Sequence, residues 1–183
     1  MKISRMLAPS ITVIGLAFAA TACSGTSALS ASDGLDTSID VKSMVLAWNS
    51  GACPASGRGW GGFDYGITVP SSAPSGARRT VVPTGVDRIL LCRFSGAQDE
   101  LTGAARETEP AAVSRIAHDL NSVTAGTDSC SGAQRVMLLA GKGADVIGID
   151  ISTGGCASLT SLAGGGDYRA TSLERDIDAA LAK

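Results

Sequence analysis

The sequence predicts an α+β fold, with an antiparallel sheet of four to five strands, two helices on one face and two disulfides. Three observations support this fold class. Residues 86–94 form a continuous apolar strand pattern between two glycines. Residues 135–152 have the pattern of a β-hairpin. Two further segments place apolar residues at helical spacing directly after capping signals, which predicts two amphipathic helices.

The ordered chain is predicted to begin near Val41, where residues 41–48 indicate a strand or a single helical turn. Residues 54–85 are rich in Gly, Ser, Pro and Arg, and they predict a long loop with one extended segment at residues 65–69. Loops of this length without secondary structure often carry function, so this loop is the first place to look for contacts.

The clearest strand is the run VDRILLCRF at residues 86–94. Its four consecutive apolar residues, 89–92, indicate burial on both faces of the sheet. Residues 100–108 follow after a short turn and are predicted to pair with it. These two segments give the first half of the predicted sheet.

The first helix is predicted to open at Thr108-Glu109-Pro110, because proline is favoured in a first helical turn. The last helix is predicted to begin at Thr171, which forms a capping box with Glu174. Apolar residues at helical spacing define the two buried faces, and these are Val113, Ile116, Ala117, Leu120 and Val123 in the first helix and Leu173, Ile177, Ala180 and Leu181 in the last.

The hairpin consists of residues 135–140 and 145–152 around the turn Gly141-Lys142-Gly143-Ala144. Three isoleucines at positions 147, 149 and 151 alternate with other residues in its second strand. Side chains two apart share one face of a strand, so this face is predicted to be apolar and buried.

Residues 1–22 have the pattern of a bacterial lipoprotein signal peptide. Lys2 and Arg5 precede an apolar stretch at residues 6–20 that is too short to span a bilayer comfortably. Small residues directly before Cys23 predict lipidation of this cysteine, on the extracytoplasmic face of the cell membrane.

Residues 23–40 then predict a flexible tether and residues 41–183 a single domain. Cleavage without lipidation, followed by free secretion, stays open as the alternative.

The cysteine count predicts disulfides rather than a metal site. Cys23 is assigned to the lipid, which leaves Cys53, Cys92, Cys130 and Cys156 for two bridges in an oxidising compartment. Four cysteines allow three pairings. The pairing Cys53–Cys92 with Cys130–Cys156 is preferred because each pair brackets one contiguous segment. A four-cysteine zinc site is disfavoured because the sequence holds no C-x-x-C pair, and neither metal nor cofactor is predicted.

Charge and motifs exclude several functional classes. Without the signal peptide the chain has 13 basic and 17 acidic residues, so no basic face for nucleic acid is predicted. The sequence contains no G-x-S-x-G, P-loop or S-x-x-K motif. The single histidine, His118, is predicted to be a solvated residue on the helix surface. No catalytic residue is therefore predicted.

Cys53-Pro54, the V-P-x-G and L-L-C-R elements within residues 82–93, and Gly154-Gly155-Cys156 occur in an order that resembles uncharacterised actinobacterial lipoproteins. The resemblance covers roughly residues 52–180. It implies the exported four-cysteine α+β architecture and the membrane address. It implies no activity, because none is established for such proteins.

Together these observations predict a lipid-anchored extracytoplasmic binding or envelope-interaction module. Its expected partners are the membrane, through the anchor, and an envelope protein or small ligand. Two alternatives stay open. A small secreted hydrolase would use Ser95, Ser131 or His118, and a protease-inhibitor-like protein would present the loop at residues 54–85.

Overall fold

The structure, a computed structural model, describes residues 40–66, 80–124, 134–153, 158–161, 164–167 and 171–183. All of them belong to one unit, residues 36–183. The predicted signal peptide, nearly all of the predicted tether, and Cys130, Ser131 and Cys156 lie outside the described residues.

Seven strands form one antiparallel sheet in the described part of the chain. They are β1 (Phe63–Tyr65), β2 (Arg88–Ser95), β3 (Glu100–Glu107), β4 (Gln134–Lys142), β5 (Asp145–Thr153), β6 (Ser158–Ser161) and β7 (Gly164–Asp167). The strand order is β3-β2-β4-β5-β6-β7, and β1 pairs with the first half of β5. The predicted number of four to five strands is too low, because the three added strands are only three or four residues long and show little periodicity.

Two helices cover one face of the sheet, as predicted. They are α2 (Pro110–Asn121) and α3 (Thr171–Leu181), and they contact each other. Their buried side chains form one hydrophobic cluster with inward residues of β2, β4 and β5, among them Ile89, Leu91, Leu138, Ile147 and Ile149. The apolar face predicted for the second hairpin strand is therefore confirmed.

A third helix, α1 (Val41–Ser50), covers the opposite face, and the prediction of a strand or single turn there is wrong. The Asp40 carboxylate caps this helix by accepting a hydrogen bond of 3.1 Å from the backbone N–H of Ser43. Buried side chains of α1 pack on the outer sides of β2 and β4, and the residues in contact are Met44, Ala47, Trp48, Leu90, Phe94, Met137 and Leu139. This second layer explains why residues 89–92 are buried on both faces, as the sequence predicts.

One predicted disulfide, Cys53–Cys92, is present and links the chain after α1 to the middle of β2. The two cysteines are 39 residues apart, so closing this loop stabilises the fold by about 4 kcal/mol in the chain-entropy description. The other predicted bridge, Cys130–Cys156, falls outside the described residues.

The segment that follows the disulfide is held by Arg135 on β4. Its guanidinium donates to both carboxylate oxygens of Asp150, at 2.9 and 3.0 Å, and to Asp99 at 2.8 Å. It also donates to the backbone carbonyls of Gly57 and Trp60. Burial alone lowers the pKa of Arg135, but the hydrogen bonds and charges of Asp150 and then Asp99 outweigh it and raise this pKa. Arg135 is thus a structural cation whose donors are used within the fold.

Candidate functional site

A groove lies at the end of the sheet where β4 turns into β5. We call it the hairpin groove. Its volume is about 340 Å³, within the range of small-ligand sites. Residues 83–86 line it on one side and Gly141, Lys142 and Asp145 on the other, with Gly66 completing the lining.

The hairpin side of the groove is fixed by its turn and by α1. Gly143 has a φ of 60°, a left-handed conformation that glycine adopts without strain. The indole N–H of the fully buried Trp48 donates a 2.9 Å hydrogen bond to the carbonyl oxygen of Gly143. The turn is therefore attached to a helix on the opposite face of the sheet and does not depend on strand pairing alone.

The other side of the groove is fixed by Asn121, the last residue of α2. Its amide oxygen accepts a hydrogen bond of 2.8 Å from the backbone N–H of Val82, and its amide nitrogen donates one of 3.0 Å to the carbonyl oxygen of Val82. Farther along, the backbone N–H of Asp87 donates to the carbonyl oxygen of Gly141 at 3.2 Å. Residues 83–86 are thus held at both ends.

The groove carries two opposite charges. Lys142 and Asp145 occupy directly opposite positions on β4 and β5, and both are exposed. They form no ion pair with each other. The carboxylate of Asp145 lies against Gly66, where an added Cβ would be 2.5 Å from Oδ1. Within the described part of the chain neither Lys142 nor Asp145 forms an ion pair, so the groove presents an exposed ammonium group and an exposed carboxylate.

A second carboxylate, Asp64 on β1, lies beside the groove in the sheet. Asp64 is opposite Ile147 and two residues from Gly66. By strand alternation it shares the face covered by α2 and α3 with Lys142 and Asp145. Its Oδ1 is buried and has no hydrogen-bond partner among the described residues. Burial raises the pKa of Asp64 to about 6, so this group titrates near neutral pH.

Two of the residues proposed for a hydrolase, His118 and Ser95, are not part of the groove. His118 is exposed on α2. Ser95 pairs with Gln134, at the end of β4 opposite the groove. No hydrogen bond joins His118 and Ser95 among the described residues, and Ser131 lies outside them. The structure therefore gives His118 and Ser95 no shared site.

Of the cysteines singled out in the sequence, the structure brings together Cys53 and Cys92. Sequence reasoning missed the hairpin groove, although it marked both of its parts. Residues 83–85 belong to the V-P-x-G element and to the predicted contact loop, and residues 141–144 were predicted as a turn. The two parts are joined by the pairing of β2 with β4 and by the hydrogen bond from the Asp87 N–H to the Gly141 carbonyl oxygen. Asn121 and Trp48 each hold one part in place, and no local pattern shows these contacts.

Comparison with protein families, curated proteins and solved structures found no match for this chain. No helix in the described ranges has the length and apolar character needed to cross a membrane. Within the same ranges, no group of three or more His, Cys, Asp or Glu side chains is placed to hold a metal ion.

Proposed function

We propose that this chain is a lipid-anchored extracytoplasmic binding module that takes a small polar ligand in the hairpin groove. The observation that carries the proposal is that hydrogen bonds from outside the groove hold both of its sides. Asn121 bonds the backbone of Val82 on one side, and Trp48 bonds the carbonyl oxygen of Gly143 on the other. A site held in this way before the ligand arrives loses less conformational entropy on binding.

The charges of the groove favour a ligand that carries both an acidic and an amino group. Lys142 would pair with the acidic group and Asp145 with the amino group. The backbone groups of the exposed residues Thr84 and Gly85 add neutral donors and acceptors, which suit amide bonds. Short peptides of the cell envelope, including the peptide stems of the cell wall, have this chemistry.

The anchor is part of the proposal. The Cys53–Cys92 bridge supports an exported chain, because disulfides persist in oxidising compartments. The small residues before Cys23 support lipid attachment at that position. Intact mass measurement of the protein from its native envelope tests this part. A diacylglyceryl group on Cys23 supports the anchor, and an unmodified mature chain would contradict it.

Ligand binding can be tested by nuclear magnetic resonance titration of the exported chain carrying Cys23→Ser, which removes only the site of lipid attachment. The probes are a synthetic tripeptide with free termini and the same tripeptide acetylated and amidated. We expect the free tripeptide to shift amide signals of residues 83–86 and 141–145, and the blocked one to shift them far less. Lys142→Met and Asp145→Asn should each weaken binding about tenfold or more.

Lys42→Met is the matched control, because Lys42 is an exposed lysine on α1, outside the groove. It should leave the titration unchanged. Equal loss of binding in Lys42→Met and Lys142→Met would indicate diffuse electrostatic attraction and would contradict the groove as the site. Shifts confined to other parts of the sheet would contradict it as well.

A further inference from the structure

Two arginines lie next to each other on the α1-bearing face of the sheet. Arg106 on β3 is directly opposite Leu90 on β2, and Arg88 lies two residues before Leu90 on the same face. The two arginines are therefore diagonal neighbours across adjacent strands, within reach of each other's long side chains. This places two positive charges on one small area of surface.

Each guanidinium is positioned by a different contact. The guanidinium carbon of Arg88 lies 3.7 Å from the ring centroid of Trp48, in a cation–π arrangement. Arg106 lies against Gly51, the residue that ends α1, where an added Cβ would be 3.0 Å from Nη1. Stacking on Trp48 holds the Arg88 guanidinium at the end of α1. The Arg106 guanidinium lies there too, because Gly51 has no side chain to occupy that space.

Neither arginine forms an ion pair in the described part of the chain, although the charge of Asp87 acts on Arg88. The ion pairs there involve four other basic residues, Arg93, Arg115, Arg135 and Lys183, and the adjacent pair Arg175–Asp176. Burial and then the charge of Arg106 lower the pKa of Arg88, partly offset by Asp87. The carbonyl end of α1 attracts Arg106. Among the described residues the carbonyl groups of α1 accept no hydrogen bond from the Arg106 side chain.

We propose that Arg88 and Arg106 form a binding site for a phosphate group at the C-terminal end of α1. Guanidinium groups present planar forks of N–H donors that match phosphate oxygens, and two adjacent forks can hold one dianion or diester. In the described part of the chain no carboxylate forms an ion pair with either guanidinium, and a bound phosphate would supply that counter-charge. The site uses neither Lys142 nor Asp145, so it does not rest on the peptide-binding proposal.

Phosphate of this kind could come from a lipid headgroup or from a soluble phosphorylated compound, and two titrations distinguish them. The exported chain with Cys23→Ser is titrated with inorganic phosphate, and the arginine Nε–H signals are followed. The same protein is sedimented with phosphatidylglycerol vesicles and with phosphatidylcholine vesicles. Shifts of the Arg88 and Arg106 signals with inorganic phosphate, without retention by the anionic vesicles, indicate a soluble ligand. Retention by the anionic vesicles, lost in the arginine variants, indicates a headgroup.

The variants are Arg88→Gln and Arg106→Gln, and the control is Lys42→Gln, which removes the same charge from α1. Each arginine change should weaken binding about tenfold, whereas the control should change it less than twofold. Arg106→Gln leaves the Arg88–Trp48 contact intact, so it reports on binding even if Arg88→Gln disturbs packing. Absence of both the phosphate shifts and the vesicle retention would overturn the proposal. Equal losses in Lys42→Gln would overturn it too.

Discussion

The indole nitrogen of Trp48 and the carbonyl oxygen of Gly143, 95 residues apart, are joined by a 2.9 Å hydrogen bond. This contact connects the first helix to the turn of the hairpin that forms one side of the groove. It also fixes the ring on which Arg88 stacks. Both proposed sites therefore depend on the position of one buried tryptophan.

Trp48→Phe keeps an aromatic ring but removes the hydrogen-bond donor. We expect the free energy of unfolding to fall by about 2 kcal/mol, from the lost hydrogen bond and the smaller ring. We also expect faster amide hydrogen exchange at residues 142–146, because the turn loses its attachment. Chemical denaturation and exchange measurements check the two effects.

Trp60→Phe is the control, because the Trp60 indole donates to Ser43 Oγ at 2.7 Å and does not contact the hairpin turn through that bond. It should reduce stability while leaving exchange in the turn unchanged. If both variants accelerate exchange in the turn equally, the Trp48 bond has no special role there.

Arg135→Met removes a cation that two carboxylates and two backbone carbonyls share. Leaving Asp99 and Asp150 without their partner in a half-buried site should reduce the free energy of unfolding by about 3 kcal/mol. Arg115→Met is the comparison, because the Arg115 side chain is 61% exposed and its ion pair is long, with 3.6 Å between Arg115 Nε and Asp176 Oδ2. It should cost at most about 0.5 kcal/mol.

A double variant sharpens the Arg135 prediction. Adding Asp150→Asn to Arg135→Met removes one of the unpaired charges and should recover part of the lost stability, as measured by urea denaturation. If the losses of unfolding free energy in the two single variants simply add in the double variant, Arg135 and Asp150 are not coupled. That result would contradict the hydrogen bonds seen between them.

Gly148→Ala tests the close packing of β1 on β5. A Cβ at Gly148 would lie 2.2 Å from the ring of Phe63, so the ring would have to move. We expect a loss of about 2 kcal/mol in thermal or chemical unfolding. Gly103→Ala is the control, because its Cβ would lie 3.5 Å from Leu181, an ordinary contact. It should be neutral or slightly stabilising, and similar losses at both positions would disprove the packing argument.

The sequence predicts those parts of the fold whose signal is local. The strand at residues 86–94, the hairpin, and helices α2 and α3 are all present, because each has apolar periodicity or a capping signal of its own. Helix α1 was missed although Met44, Ala47 and Trp48 are spaced as one helical face, since the short run 44–48 also fits a strand. The continuous apolar run in β2 implies that something covers each face of the sheet. The predicted fold placed both helices on one face and left the other face uncovered, and α1 covers it.

The candidate sites could not be predicted because their residues are brought together by distant contacts. Arg88 and Arg106 become neighbours through the pairing of β2 with β3, and only the register shows that they share a face. Asn121 and Val82 are 39 residues apart, and nothing in the sequence around either indicates their hydrogen bonds. Side-chain hydrogen bonds of this kind depend on the completed fold.

Asp64→Asn should stabilise the protein at neutral pH. Burial raises the pKa of the native carboxyl from 3.8 to about 6, so the native state holds this proton more tightly than the unfolded chain does. At pH 7.5 the group is ionised while its Oδ1 has no hydrogen-bond partner in the described residues. After allowance for the solvent contact of a half-buried group, we expect a gain of about 1 kcal/mol in the free energy of unfolding.

The sign of the pH dependence distinguishes this effect from a general gain of packing. The contribution of Asp64 to stability is complete below about pH 4 and is lost as pH rises through about 6, because the raised pKa favours the protonated native state. The difference between Asp64→Asn and the unaltered chain should therefore be small at pH 4 and largest above pH 7. Glu100→Gln, at an exposed position of β3, should show no such rise. A stability difference for Asp64→Asn that is the same at pH 4 and pH 7.5 would mean that ionisation of Asp64 does not strain the fold.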